Sequence, residues 1–135
     1  MDNNISKAVM NHTILIVDDD KLILNTLKQR FETWNCEVYA VGTSEEAKQV
    51  LQTLTPEVVL LDLLLTSEDG SSGILDYLKS QERLQNVPVI ILTNLDKPEL
   101  KQMLLGQGVK EYWIKGSMSM DELYQKVMGY LEPGK

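Results

Sequence analysis

The sequence predicts a doubly wound α/β fold in which helices cover both faces of a five-stranded parallel sheet. Five short apolar runs alternate along the chain with five amphipathic segments of helical period. The runs are apolar at consecutive positions, which is typical of strands that are buried on both faces. Parallel neighbours of this kind are joined through helices, by right-handed crossovers.

The predicted elements form five successive strand–helix units. The strands are Thr13–Val17, Cys36–Val41, Pro56–Leu61, Val87–Leu92 and Lys110–Ile114. The helices begin near Asp20, Thr43, Ser71, Asp96 and Ser119.

Capping residues support three of the helix starts. Thr43 with Glu46, and Ser119 with Glu122, match the capping box, in which two side chains satisfy orphan backbone donors. Asp20 is predicted to cap the first helix. The apolar residues on the inner helix faces are expected to be core. The two tryptophans, Trp34 and Trp113, are expected to be core or helix-packing residues.

Length, charge and cysteine content limit the classes of function. The chain has 135 residues and suits one domain, predicted as residues 13–131 between a polar tail (1–12) and a short tail (132–135). The net charge of −7 and the lack of a basic stripe argue against direct nucleic-acid binding. No run approaches the ~20 apolar residues that cross a membrane. The one cysteine, Cys36, and the lack of a signal peptide indicate the cytoplasm.

Polar side chains follow four of the five predicted strands. They are Asp18, Asp19 and Asp20 after the first, Asp62 after the third, Thr93 after the fourth and Lys115 after the fifth. Ligands of open α/β sheets bind beyond the carboxyl ends of the strands. These side chains are therefore expected to face one crevice.

Asp62 is the most informative of these residues. It interrupts an apolar run at 58–65, where an ionised carboxylate is costly unless a cation or hydrogen bonds compensate it. A strand-end aspartate that turns the chain is the simpler alternative. Grouped with Asp18 and Asp19, however, it would need a divalent cation, and oxygen-only ligands suit Mg²⁺. Lys115 would add a charge for a phosphoryl oxygen, and Thr93 a hydroxyl donor.

Several short motifs, in order and each at a strand end, resemble the receiver domain of two-component response regulators over nearly the whole chain. They are Ile14–Asp20, Val58–Asp62, Asp69-Gly70, Val89–Thr93 and Tyr112–Lys115. The resemblance implies a flavodoxin-like (βα)5 fold with strand order 2-1-3-4-5. The chemotaxis response regulator has this order among doubly wound sheets.

The same resemblance assigns roles to individual residues. Asp62 is implied as the phosphoacceptor. Asp18, Asp19 and the backbone carbonyl of Leu64 are implied to hold Mg²⁺ together with Asp62. Thr93 and Lys115 are implied as the pair that senses the phosphoryl group, and Tyr112 as an aromatic switch.

The implied function is a phosphorylated signalling switch rather than an enzyme. A sensor histidine kinase or a histidine phosphotransfer protein would donate the phosphoryl group, and a protein target would read the surface of the fourth helix, fifth strand and fifth helix. Neither membrane nor nucleic acid is an expected partner. Whether the sequence is a whole protein or the receiver of a longer regulator stays open.

Three features depart from the family pattern. Gly116 follows Lys115, where the family usually has proline, and Thr66 likewise replaces a usual proline. Leu64 and Leu95 lie two residues after Asp62 and Thr93, at positions that tune phosphoaspartate hydrolysis in the family. Since leucine cannot orient an attacking water, a long-lived phosphoprotein is expected.

Two alternative functions are considered. The first is a pseudo-receiver, which keeps the fold and signals without phosphate; the altered Lys115-Gly116 loop favours it, and retention of the polar set argues against it. The second is a phosphohydrolase of the haloacid dehalogenase type, for which Asp18 and Asp20 have the required Asp-x-Asp spacing. That alternative leaves Asp62 unexplained.

Overall fold

The computed structural model describes residues 12–65 and 70–131. Their core is a five-stranded sheet, parallel at every pairing, with strand order β2-β1-β3-β4-β5. The strands are β1 (His12–Val17), β2 (Cys36–Val41), β3 (Val58–Leu61), β4 (Val89–Thr93) and β5 (Glu111–Ile114). The predicted fold class and strand order are confirmed.

Five α-helices connect and follow the strands in the described residues. They are α1 (Lys21–Glu32), α2 (Ser44–Thr53), α3 (Gly70–Ser80), α4 (Pro98–Gly106) and α5 (Met120–Leu131). Short 3₁₀ turns lie at Glu82–Leu84 and Lys115–Ser117. None of these helices is long and apolar enough to cross a membrane. The predicted tails lie outside the described residues, apart from His12, and so do Thr66 and Asp69.

The predicted caps of α1 and α5 are present. Asp20 accepts hydrogen bonds from the backbone N–H groups of Leu22 (3.0 Å) and Ile23 (3.4 Å). Ser119 and Glu122 exchange the two bonds of a capping box, at 2.9 and 3.1 Å. These caps fix where α1 and α5 leave the sheet edge at which β1 and β5 end. At α2, Thr43 accepts from the N–H of Glu46 at 3.1 Å, but the Glu46 side chain accepts from the N–H of Gly42 at 3.0 Å rather than from that of Thr43.

Alternate strand residues face opposite sides of the sheet and build two cores. On one side, Ile14, Ile16 and their neighbours pack against α1 and α5 around the fully buried Phe31. On the other side, Leu15 and Val17 begin a second core with α2, α3 and α4. The sheet is thereby covered on both faces, as its apolar strands require.

Trp34 follows the second of its two predicted roles, since it packs against a neighbouring helix and is not part of the core. Its side chain is 55% exposed, because α1 ends at Glu32 and the chain turns through Asn35, which has a φ of 65°. The indole keeps one contact with the core edge, a tilted ring contact with Tyr124 at 5.4 Å. Trp113, in contrast, is buried as predicted.

Candidate functional site

The carboxyl ends of β1, β3, β4 and β5 bring the predicted polar residues to one edge of the sheet. Asp18 directly follows β1, and Asp62 directly follows the neighbouring β3. Thr93 is the last residue of β4, and Lys115 follows β5. The sheet topology alone therefore explains why residues so far apart in sequence share one site.

Lys115 joins the two buried carboxylates. Its Nζ lies 2.8 Å from Oδ2 of Asp18 and 3.0 Å from Oδ2 of Asp62. The side chains of the two aspartates are 3% and 5% exposed, and that of the lysine 11%. This is a buried triad in which one ammonium group serves two carboxylates.

Backbone N–H groups hold the other oxygen of each carboxylate. Oδ1 of Asp18 accepts from the N–H of Asp20 at 2.9 Å, and Oδ1 of Asp62 accepts from the N–H of Leu64 at 3.1 Å. Both bonds span two residues, the pattern by which aspartate tightens the turn that follows it. The two carboxylates are thus oriented by their own loops, and each turns its second oxygen toward Lys115.

Burial and charge shift the pKa values of Asp18 and Lys115. Burial raises the pKa of Asp18, and the charge of Asp62 adds to the rise, while the bond from Lys115 opposes it. Burial by itself would lower the pKa of Lys115, but the hydrogen bonds and charges of Asp18 and Asp62 outweigh it and raise that pKa. The lysine is therefore firmly protonated, and Asp18 gives up its proton less readily than an exposed aspartate.

Asp19 completes an acidic cluster next to the triad. Carboxylate oxygens of Asp18, Asp19 and Asp62 lie within 4.8 Å of one another. Asp18 and Asp62 are buried and Asp19 is exposed, so the cluster opens to solvent on one side. A small set of oxygen donors with an open side fits Mg²⁺, which keeps part of its water shell. Leu64, the fourth predicted ligand, is placed by the bond from its N–H to Asp62.

Thr93 and Tyr112 are connected through the backbone of Leu95. Thr93 is fully buried, and its Oγ accepts from the N–H of Leu95 at 3.3 Å. The Tyr112 hydroxyl, on a side chain only 5% exposed, donates to the carbonyl oxygen of Leu95 at 2.5 Å. One peptide segment therefore links Thr93, the predicted hydroxyl donor, to Tyr112, which the resemblance implied as an aromatic switch.

The backbone of Leu95 was not predicted as this link. A threonine hydroxyl that bonds the backbone two residues onward is a known local motif, so the Thr93 half had a sequence signal. The Tyr112 half had none, because it depends on how β5 and the loop after β4 approach each other.

The lysine loop adapts to glycine without an unusual peptide bond. No peptide bond among the described residues is cis, so Lys115–Gly116 is trans. The chain continues as a 3₁₀ turn, Lys115–Ser117, and the Ser117 hydroxyl donates to the carbonyl of Ile114 at 3.0 Å. A trans loop therefore still delivers the ammonium group to both carboxylates.

Comparison with known proteins gives a consistent result. The family model of the response regulator receiver domain matches residues 14–128. The chain is 29% identical over 102 residues to the response regulator protein GraR of Staphylococcus epidermidis, a match that covers 76% of this chain and 44% of that protein. It is 25% identical over 118 residues to the sensory transduction protein BceR of Halalkalibacterium halodurans, covering 87% and 49%. The chain thus spans less than half the length of these curated relatives.

Solved structures agree in fold. The receiver domain of the Francisella response regulator 1452 superposes with a TM-score of 0.79 at 32% identity, covering 93% of this chain and all of that one. The receiver domain of a signal transduction histidine kinase from Syntrophus aciditrophicus superposes with a TM-score of 0.78 at 27% identity, covering 92% of each chain.

Proposed function

This chain belongs to the response regulator receiver domain family, and from that premise we propose that it is a phosphoacceptor switch. Asp62 takes a phosphoryl group from the phosphohistidine of a sensor histidine kinase or a histidine phosphotransfer protein. The observation that carries this proposal is the buried Asp62 carboxylate, fixed by the N–H of Leu64 and by Lys115 within the acidic cluster. The protein takes up one phosphoryl group per molecule and is a switch rather than an enzyme with turnover.

Apart from the attacking oxygen of Asp62, the protein takes no part in the bonds that form and break during the transfer. An oxygen of Asp62 forms a bond to phosphorus while the phosphorus–nitrogen bond of the donor breaks, and the electron pair of that bond returns to the imidazole. The transition state is loose, so the main contributions are alignment and charge neutralisation. Asp18, Asp19, Asp62 and the carbonyl of Leu64 would hold Mg²⁺, which would supply positive charge to the phosphoryl oxygens.

Residues of the chain provide the remaining parts. The hydrogen bond from Leu64 N–H keeps one Asp62 oxygen in place. Lys115, which now bonds the other oxygen at 3.0 Å, can move to a phosphoryl oxygen without leaving the site. A phosphoryl oxygen on Asp62 therefore replaces the Asp62 carboxylate oxygen as the partner of Lys115.

Switching follows from the Leu95 link. When the Thr93 hydroxyl turns to a phosphoryl oxygen, the N–H of Leu95 loses its acceptor, and the loop that also bonds Tyr112 shifts. This biases an existing two-state equilibrium. We propose that a protein partner reads the change on the surface of α4, β5 and α5.

The decisive test is the mass of the intact protein after incubation with acetyl phosphate and Mg²⁺. The unmodified chain gains one acid-labile phosphate, whereas Asp62→Asn gains none, because an amide cannot form the acyl phosphate. Asp20→Asn is the matched control and labels normally, since asparagine caps a helix as well as aspartate does. Undiminished labelling of Asp62→Asn removes Asp62 from its role.

The same samples separate the alternatives. Steady hydrolysis of a phosphomonoester that is lost in Asp18→Asn would favour the phosphohydrolase, which the family match and the capping role of Asp20 already disfavour. Failure of the intact chain to bind beryllofluoride with Mg²⁺ would favour the pseudo-receiver.

The phosphorylated form is expected to be long-lived. The Leu64 side chain is 50% exposed at the site and offers no group that could orient a water molecule. The decay of the phosphorylated protein is followed by its intact mass after acetyl phosphate is removed. A lifetime of minutes or longer is expected, and a lifetime of seconds contradicts the roles assigned to Leu64 and Leu95.

A further inference from the structure

A groove between α3 and α4 borders the candidate site and is lined by the part of α4 that faces α3 rather than β5 or α5. It encloses a cavity of about 290 Å³. Its apolar walls are Leu63, Leu75, Leu95, Leu100, Met103 and Leu104. Partly buried wall residues such as Leu75 and Leu100 pack against the second core, so the groove is anchored in the fold.

We propose that this groove binds the apolar face of a partner protein's amphipathic helix, with an affinity that depends on the state of Asp62. The dependence on Asp62 rests on the proposed function, whereas the docking itself does not. A small apolar ligand fits the surface less well, because Met103, one of the walls, is itself 52% exposed. A compact ligand inside the cavity leaves much of that side chain uncovered, whereas a helix that lies along α4 covers it.

Charges at the rim give the occupant a direction. Asp76 and Lys79 line the same groove from α3, one helical turn apart. A complementary helix carries a basic residue opposite Asp76 and an acidic residue opposite Lys79. Its apolar residues recur at i, i+3 or i+4 between these charges.

Two wall residues connect the groove to the candidate site. Leu63 directly follows Asp62, and Leu95 bonds Thr93 through its N–H and Tyr112 through its carbonyl. The α4 helix, which forms one wall, is weakly anchored. Leu104 is its buried residue, and its N-cap residue, Lys97, makes no side-chain hydrogen bond to the helix. A shift of the Leu95 segment therefore changes the width of the groove on the α4 side.

The probe is a displayed library of helical peptides, selected on the full chain with Mg²⁺ and beryllofluoride. Selected peptides are expected to share the apolar spacing and the paired charges. Met103→Glu is expected to weaken their binding by roughly tenfold or more, as for a central interface residue. The matched control is Leu105→Glu, since Leu105 is on the same helix and exposed but does not line the groove. Equal effects of the two variants overturn the docking site.

A charge swap tests the assigned direction. Lys79→Glu weakens a selected peptide, and changing the facing acidic residue of the peptide to lysine restores binding. Peptides without the apolar spacing, or peptides whose binding ignores both Met103→Glu and Lys79→Glu, overturn the proposal.

Linkage tests the dependence on Asp62. Beryllofluoride is expected to change peptide affinity by about fivefold or more, and the peptide to change beryllofluoride affinity by the same factor. In Asp62→Asn the peptide still binds, but beryllofluoride has no effect. If the intact chain fails to take up phosphate while Met103→Glu still weakens peptide binding, the proposed function fails and the docking site stands. Peptide binding unaffected by bound beryllofluoride overturns the coupling.

Discussion

Two clusters of contacts around carboxylates of the same sheet differ in how the carboxylate charge is balanced. In one, Glu111 on β5 accepts from the indole N–H of Trp113 at 2.6 Å and from the hydroxyl of Tyr130 at 2.5 Å. In the other, Asp18 and Asp62 share the single ammonium group of Lys115. The first cluster ties β5 to α5, and the second lies at the candidate site.

The difference distinguishes a carboxylate whose contacts are complete from the carboxylates of the candidate site. Neutral donors satisfy both oxygens of Glu111, so it needs nothing further. At the site, three clustered carboxylates face one lysine, which leaves an excess of negative charge. This excess negative charge destabilises the folded state when no metal is bound, and it favours the binding of a cation. Removing one member from each cluster should therefore have different consequences for metal binding.

The largest effect is expected from Lys115→Met. Two buried carboxylates then face each other without a cation, and removal of one partner from a buried ion pair typically costs about 3 kcal/mol or more. Urea unfolding at neutral pH without metal measures this loss. Added Mg²⁺ should stabilise the variant more than the unmodified chain. Unchanged stability without metal would contradict the view that Lys115 balances the site.

Asp18→Asn is expected to weaken Mg²⁺ binding by roughly tenfold or more, since it removes a charged ligand rather than a supporting group. Stability without metal should stay the same or rise. Because the pKa of Asp18 is raised by burial, its ionisation destabilises the folded state as the pH climbs above 3.8, and the amide avoids this cost. Calorimetric titration with Mg²⁺ and urea unfolding measure the two effects, with Asp20→Asn as control. A clear loss of metal-free stability would refute this assignment of the cost to Asp18.

The smallest effect is expected from Tyr130→Phe, which leaves Glu111 one donor short and costs about 1 kcal/mol. Mg²⁺ affinity and phosphate labelling should not change. Burial and the bond to Glu111 raise the pKa of Tyr130 from 10.0 to about 12. The folded state thus keeps the phenol proton that the unfolded chain releases, and stability falls between these pH values. Phenylalanine should remove this part of the alkaline loss, which urea unfolding at a series of alkaline pH values measures.

The sequence predicted which polar residues come together better than it predicted element ends. Polar residues after apolar strands identify the edge of the candidate site, because parallel strands end together there. Strand starts were less accurate: β3 begins at Val58 rather than Pro56, and β4 at Val89 rather than Val87. Proline lacks an N–H and contributes no donor to a ladder, which explains why Pro56 and Pro88 precede their strands. β1 begins at His12 rather than Thr13, where the His12 ring lies 2.7 Å from Glu57.

Contacts made between distant elements were beyond the reach of the sequence. The alternation of a strand places Glu111 and Trp113 on one face, but nothing local indicates that Tyr130 joins them. The choice between core and helix packing for Trp34 was open for a related reason. Helical periodicity allows both, and the actual end of α1 and the left-handed Asn35 turn the indole outward.

Cys36, the first residue of β2, has a practical consequence. Its side chain is fully enclosed, and burial together with the charge of Glu57 raises the pKa of the thiol to about 11. Maleimide reagents react with exposed thiolates, so at neutral pH they will attach to a cysteine introduced on the surface long before they reach this one. Fluorophores can therefore be placed singly on α3 or α4, and the environment of each labelled position can be followed without first removing the natural cysteine.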